Sequence, residues 1–146
     1  MTKRLAATVL CVLEVCACAT PKAQLPSSKL FAEATPLCVI LGNPKSYVGK
    51  QLLVRGYLTQ NPHRSEFWDN ECERGFLPVK PSVGTAQDRQ LRSKVGIYMA
   101  QSDRRPPQVP VVYSGTFTDN SPALICDGLC SQFTLEGAEV VAVRRD

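Results

Sequence analysis

The chain has 146 residues and a formal charge of +4, enough for one domain with its own core once an N-terminal leader is set aside. Its basic residues are dispersed. The pairs Arg104-Arg105 and Arg144-Arg145 are too short for a nucleic-acid stripe and read as solvated surface.

Lys3 and Arg4 precede the apolar run Leu5 to Leu13, the order of charge and apolar core found in an export signal. The run is too short to span a bilayer as a helix. Glu14 is out of place in it, because inserting a carboxylate is costly. Val15-Cys16-Ala17-Cys18 resembles a bacterial lipobox, with Val15 where Leu is usual. That resemblance implies a lipid on Cys18, and Ala19 as the next residue implies retention at the outer membrane. Ordinary cleavage after Ala19 or after Ala23 is the alternative. Residues 1–19 therefore read as signal peptide. Residues 20–35, rich in Pro, Ser, Lys and Ala, read as a flexible tether, and 36–146 as the folded domain.

Pro36 to Leu41 is a short apolar lead-in segment. Asn43-Pro44 has the residues of a helix start, with Asn43 as cap, and Gly49 suits a left-handed stop. Tyr47 and Val48 are expected to close over one end of the core. Gly49-Lys50 is no phosphate loop, since Gln51 stands where Ser or Thr is needed. The clearest strand follows: Leu52, Val54, Gly56 and Leu58 share one face, and Leu53, Arg55, Tyr57 and Thr59 the other.

After a turn at residues 60–64 come two shorter strands, Ser65–Asp69 and Phe76–Lys80; Pro78 makes the latter an edge or bulged strand. Thr85-x-x-Asp88 has capping-box spacing and predicts a helix from Ala86 to Val95, with Leu91 and Val95 on its inner side. Gly96 is a candidate stop, and Ile97–Ala100 fits either a longer helix or an extended segment. A fourth strand runs from Val109 to Thr118, where Val111-x-Tyr113-x-Gly115-x-Phe117 echoes the first. A fifth spans Phe133 to Val143, apolar in both phases as though both faces were covered.

The predicted fold class is mainly β: a five-stranded OB-like Greek-key barrel with a helix between strands 3 and 4, in which Gly56 and Gly115 permit sharp coiling. The phrase Asn43-Pro44-x-x-Tyr47-x-Gly49-Lys50-x-Leu52-x-Val54-x-Gly56-x-Leu58, with the later Val111–Phe117 strand, resembles the opening of small exported OB-fold-like domains of bacterial envelope proteins. The resemblance covers residues 36–143 and implies a fold. It carries no catalytic residue with it.

Four cysteines lie beyond the leader: Cys38, Cys72, Cys126 and Cys130. In an exported chain an even set implies disulfides, and three pairings are open. Cys126 with Cys130 closes a small loop, which leaves Cys38 with Cys72. Zinc needs a second ligand pair that Cys38 and Cys72 do not form, and no cofactor motif is present. The single histidine, His63, falls in a polar loop without a marked catalytic partner. Glu66, Asp69, Glu71 and Glu73 read as a solvent-facing acidic turn more simply than as acid–base or Ca²⁺ chemistry.

The function expected from these features is non-enzymatic. A lipid-anchored domain at the periplasmic face of the outer membrane binds an envelope protein or small ligand through a barrel face. Arg55, Tyr57, Phe67 and Trp68 are the candidate contacts. Phe76 is a further aromatic near that face, although most such rings end up in cores. The same side chains fit single-stranded nucleic acid or oligosaccharide loosely, but export and weak charge argue against nucleic acid. An envelope hydrolase rests only on His63 and the acidic turn.

Overall fold

The first long strand, Gln51–Gln60, makes the frame of the domain, because two other strands pair along its two edges. The computed structural model describes residues 27–60, 65–72, 76–104, 106–121 and 132–145. The segment expected to be a signal peptide and lipobox, with Cys18, and also His63, Cys126 and Cys130 lie outside the described residues. In chain order the elements are α1 (Ser27–Glu33), β1 (Thr35–Pro36), α2 (Leu37–Gly42), a 3-10 turn (Pro44–Ser46), β2 (Gln51–Gln60), β3 (Ser65–Trp68), β4 (Phe76–Leu77), β5 (Val79–Pro81), α3 (Ala86–Ala100), β6 (Gln108–Asp119) and β7 (Phe133–Val143). No helix among the described residues is long and apolar enough to cross a membrane.

The strands form one mixed sheet in the order β4-β3-β2-β6-β7-β5, with β1 added in parallel to β2 at Val54 and Arg55. β2 and β6 pair antiparallel from Gln51↔Thr116 to Thr59↔Gln108. The chain is thus mainly β with one main helix, as expected. The five continuous strands of the sequence reading are not what forms, and the sheet is not closed into a barrel. The third strand divides at Pro78. Having no N–H, Pro78 cannot continue the ladder with β3, while its carbonyl accepts a hydrogen bond from the Leu135 N–H at 3.0 Å. So β4 pairs with β3 and β5 pairs with β7 in parallel. The two ends of the sheet are separated by one residue of sequence.

Most of the core lies on the inner face. Val54, Phe67, Leu77, Val109, Val111, Tyr113, Phe117, Leu135 and Val140 are buried there with Leu37 and Ile40 of α2 and Val95 and Met99 of α3. Phe67 and Tyr113 meet edge to face at 5.0 Å. A Cβ on Gly56 would stand 2.8 Å from both Phe67 Cε2 and the Trp68 carbonyl, and one on Gly115 would stand 2.8 Å from Leu135 Cγ. These glycines therefore serve close packing across the sheet. The coiling expected of them is supplied elsewhere, by β-bulges in β7 opposite β6. Gly137, at φ +60°, sits in one of them. The other leaves Val141 unmatched between Ala142 and Val140, which switches the inward phase of the strand from Val140 to Val143. That is why both phases of this strand are apolar.

A second, smaller core covers the outer face. Phe31 and Ala34 pack on Val112 and Ala142, with Leu30, Leu53 and Val141 around them. Here the structure differs from the sequence reading, since residues 27–35 of the expected tether are α1 and the start of β1. A seven-residue helix is not stable alone. It persists because Phe31 covers outward apolar positions of β6 and β7.

α2 also differs. The run Leu37–Leu41 has no period that separates strand from helix. It is helical because Leu37 and Ile40, three apart, are both fully buried while Val39 faces solvent. The left-handed Gly49 is present, at φ +79°. Asn43 makes no side-chain cap, and Val48 is exposed while Tyr47 packs on the core. The Thr85 cap forms as predicted, its Oγ1 accepting from the Asp88 N–H at 3.1 Å. Gly96 does not end α3, which runs on to Ala100 because Met99 adds a second buried contact one turn beyond Val95.

Candidate functional site

The register of β2 decides which candidate side chains meet. Tyr57 pairs with Trp68 and Leu58 with Phe67, so Tyr57 and Trp68 share the outer face and Phe67 points inward. Phe67 is 2% exposed and belongs to the core. It is not a contact residue. Trp68 is half-buried beside Tyr57, with its indole N–H lacking a hydrogen-bond partner. Thr59, on the same outer face, is buried, and its hydroxyl donates to the Pro107 carbonyl at 2.9 Å. The Phe76 side chain lies outside the described residues.

Arg55 and Tyr57 do come together, in a cleft of about 230 Å³ on the outer face. One wall is Phe31 of α1 with Arg144, just past β7; the opposite wall is Asp69 and Glu71, just past β3. Pro110 and the backbone at Gly56 make the floor. A second depression of about 200 Å³, lined by Tyr98, Arg104, Gln108 and Arg145, continues from the first through the shared Pro110 and Arg144.

The arginines are held by rings and backbone. The Arg144 guanidinium lies 5.0 Å from the Phe31 ring centre and the Arg104 guanidinium 5.9 Å from that of Tyr57. Arg55 Nη1 donates to the Phe31 carbonyl at 3.5 Å. The opposite wall is fixed by the disulfide between Cys38 of α2 and Cys72, three residues after Asp69. Asp69 itself is 5% exposed, and one of its oxygens accepts the Glu71 N–H at 3.1 Å. This is the expected Cys38–Cys72 pairing. Its effect is to tie the carboxylate wall to a helix anchored in the core by Leu37 and Ile40.

Sequence reading missed Phe31, Pro110 and Arg144 as parts of a site. From sequence, Arg104 and Arg144 read as solvated surface. Only the pairing of β6 with β2 and β7 brings them beside Tyr57 and Arg55. The acidic turn was visible in the sequence, but its place opposite the arginines was not. Among the described residues no three His, Cys, Asp or Glu side chains converge as metal ligands.

A second polar cluster lies beneath α3. Asp88 is 3% exposed; it accepts from Arg92 Nε at 2.8 Å and from the Val140 N–H at 2.6 Å. Arg92 reaches the Ala138 carbonyl at 3.3 Å and stands 6.0 Å from the Tyr113 ring centre. Burial pushes the Tyr113 phenol above its ordinary pKa, against an opposing pull from Arg92. Burial lowers the Arg92 pKa, but its bond to Asp88 and the charges of Tyr113 and Asp88 outweigh this and raise it. Every polar partner in this cluster is internal and bridges the helix to β7, so its role is structural.

Comparisons with family models, with curated proteins and with solved structures find no match to this chain.

Proposed function

We propose that the chain is an exported, non-enzymatic binding domain of OB type that holds a protein or small ligand on its outer sheet face around Arg55 and Tyr57. The observation that carries this is the cleft in which these two side chains, read in the sequence as contacts, stand with Arg144 and Phe31. The OB assignment is supported by the pairing pattern. If β4 and β5 count as one third strand broken at Pro78, the order is first-second-third-fifth-fourth, with β2 and β6 paired and the main helix between third and fourth. Export is supported by the Cys38–Cys72 disulfide, which forms and lasts in an oxidising compartment. The lipobox at Val15–Cys18 makes the periplasmic side of the outer membrane the proposed location, with the lipid on Cys18. Single-stranded nucleic acid ranks second, because Asp69 and Glu71 in the same cleft repel phosphates and Arg104 already covers the Tyr57 ring.

Two measurements test this reading. Tyr57→p-benzoylphenylalanine, irradiated in intact cells, is expected to give a discrete adduct that Arg55→Glu removes. Adducts equal to those of the same probe at the fully exposed Val83, or none at all, would reject the outer sheet face as a protein-binding surface. Palmitate labelling is expected for the full chain and absent in Cys18→Ser; an unlabelled, fully soluble parent removes the anchor.

A further inference from the structure

We propose that the outer-face cleft is a site for a small zwitterion, one molecule carrying both an oxyanion and an ammonium group. This rests on the outer-face binding reading above and narrows it to a ligand class.

Charges of both signs line the cleft without meeting. Arg55 and Arg144 stand on one side, Asp69 and Glu71 on the other. Among the described residues none of the four takes part in an ion pair. Ion pairs form elsewhere, as in Lys29–Glu33, Lys80–Glu136 and Arg92–Asp88. Three of the four are held in place by other contacts. Arg144 is kept against the Phe31 ring, and Arg55 is turned toward the Phe31 carbonyl. Asp69 is 5% exposed and engaged by the Glu71 N–H, in a turn that the disulfide fastens to α2. Arg55, Arg144 and Glu71 are exposed to solvent, whereas Asp69 is a nearly buried carboxylate without a counter-ion, which is costly. A ligand presenting an oxyanion to the arginines and an ammonium to the carboxylates pairs with both sides at once. A ligand with a single charge pairs with one and faces repulsion or desolvation at the other.

Size narrows the class further. About 230 Å³ lies below the range of about 300–1,000 Å³ that holds drug-sized ligands. It suits a free amino acid, a dipeptide or a phosphoethanolamine-type headgroup. The Phe31 and Tyr57 rings with Pro110 offer an apolar strip between the charged walls for a side chain of the ligand. Arginine forks bind carboxylate and phosphate alike, so the oxyanion comes from either source.

The test is a ¹⁵N NMR titration of the folded, disulfide-bonded protein with four probes. Phenylalanine carries both charges, 3-phenylpropionate only the anion, 2-phenylethylamine only the cation; O-phosphoethanolamine replaces carboxylate by phosphate. The expected result is that phenylalanine or O-phosphoethanolamine shifts the amides of residues 55–57 and 69–71. The better of the two should bind at least tenfold more tightly than either singly charged probe. Which is tighter identifies the oxyanion. Glu71→Gln should reduce phenylalanine to the affinity of 3-phenylpropionate, and Arg55→Gln to that of 2-phenylethylamine. Both positions are exposed, so these variants test charge without disturbing the core. Equal binding of phenylalanine and 3-phenylpropionate, unchanged by Glu71→Gln, overturns the zwitterion site. So does the absence of binding by all four probes. Either result leaves the crosslinking outcome at Tyr57 to decide protein binding by the outer sheet face separately.

Discussion

Cys38→Ser/Cys72→Ser is expected to lower the unfolding free energy by about 3–4 kcal/mol, from the chain-entropy relation for a closed loop of this length. The bond spans 34 residues and encloses α2, β2 and β3, so without it the unfolded chain gains freedom along most of the first half of the domain. Native losses add little, because Leu37 and Ile40 still anchor α2 in the core. Urea unfolding of the oxidised parent against the double variant reads the effect as a lower midpoint. The parent measured in reductant should move toward the variant. A midpoint shared by all three would mean that the bond does not form in the folded protein. A smaller loss is expected for the isolated turn at Asp69–Cys72, visible as faster amide exchange there.

The second large effect is expected at Asp88. Asp88→Ala removes the acceptor of the buried Val140 N–H and the partner of Arg92 together. A buried donor left unsatisfied costs about 1–3 kcal/mol, and a hydrogen bond to a charged group contributes about 1.5–3 kcal/mol. The Arg92 side chain is 37% exposed, so water replaces part of what it loses. The sum is about 3 kcal/mol of destabilisation. Asp88→Asn keeps one acceptor and should cost roughly half as much. Equal stability of Asp88→Ala and the parent would show that the bulged end of β7 does not depend on this bond. The same cluster sets the alkaline limit. The Tyr113 pKa is raised in the folded state, so its contribution is complete below the unfolded value and is lost as pH climbs through the folded one. Stability should therefore fall above about pH 10, and less steeply in Tyr113→Phe.

Much of this arrangement was legible in the chain because it is local. The β2 alternation from Leu52 to Thr59 depends only on side-chain period, and the Thr85–Asp88 cap only on residues three apart. Both formed as read. The Asp88 carboxylate shows where local reading stops. Its N–H is capped as the motif requires, while its side chain leaves the helix start to serve a strand fifty-two residues away. Nothing near Asp88 in sequence indicates that the Val140 N–H bonds to a side chain.

The candidate site divides in the same way. Arg55 and Tyr57 were found because the outer phase of β2 follows from its inner one. Phe67 was misplaced because Ser65–Asp69 alternates weakly, and its register against β2 puts Trp68, not Phe67, beside Tyr57.

By itself, then, the sequence determined the β-rich class, the start of the main helix, the orientation of β2, and Cys38–Cys72 as one candidate pairing among three. These rest on the two- and three-residue periods of the backbone and on capping groups within one turn. Tertiary structure decided the rest. It folded residues 27–33 into α1, since Phe31 gains burial only where Val112 and Ala142 lie uncovered. It split the third strand at Pro78, whose missing N–H ends one ladder while its carbonyl joins another. It also set Arg144 opposite Asp69, residues seventy-five positions apart that meet only because β2, β6 and β7 are paired in register.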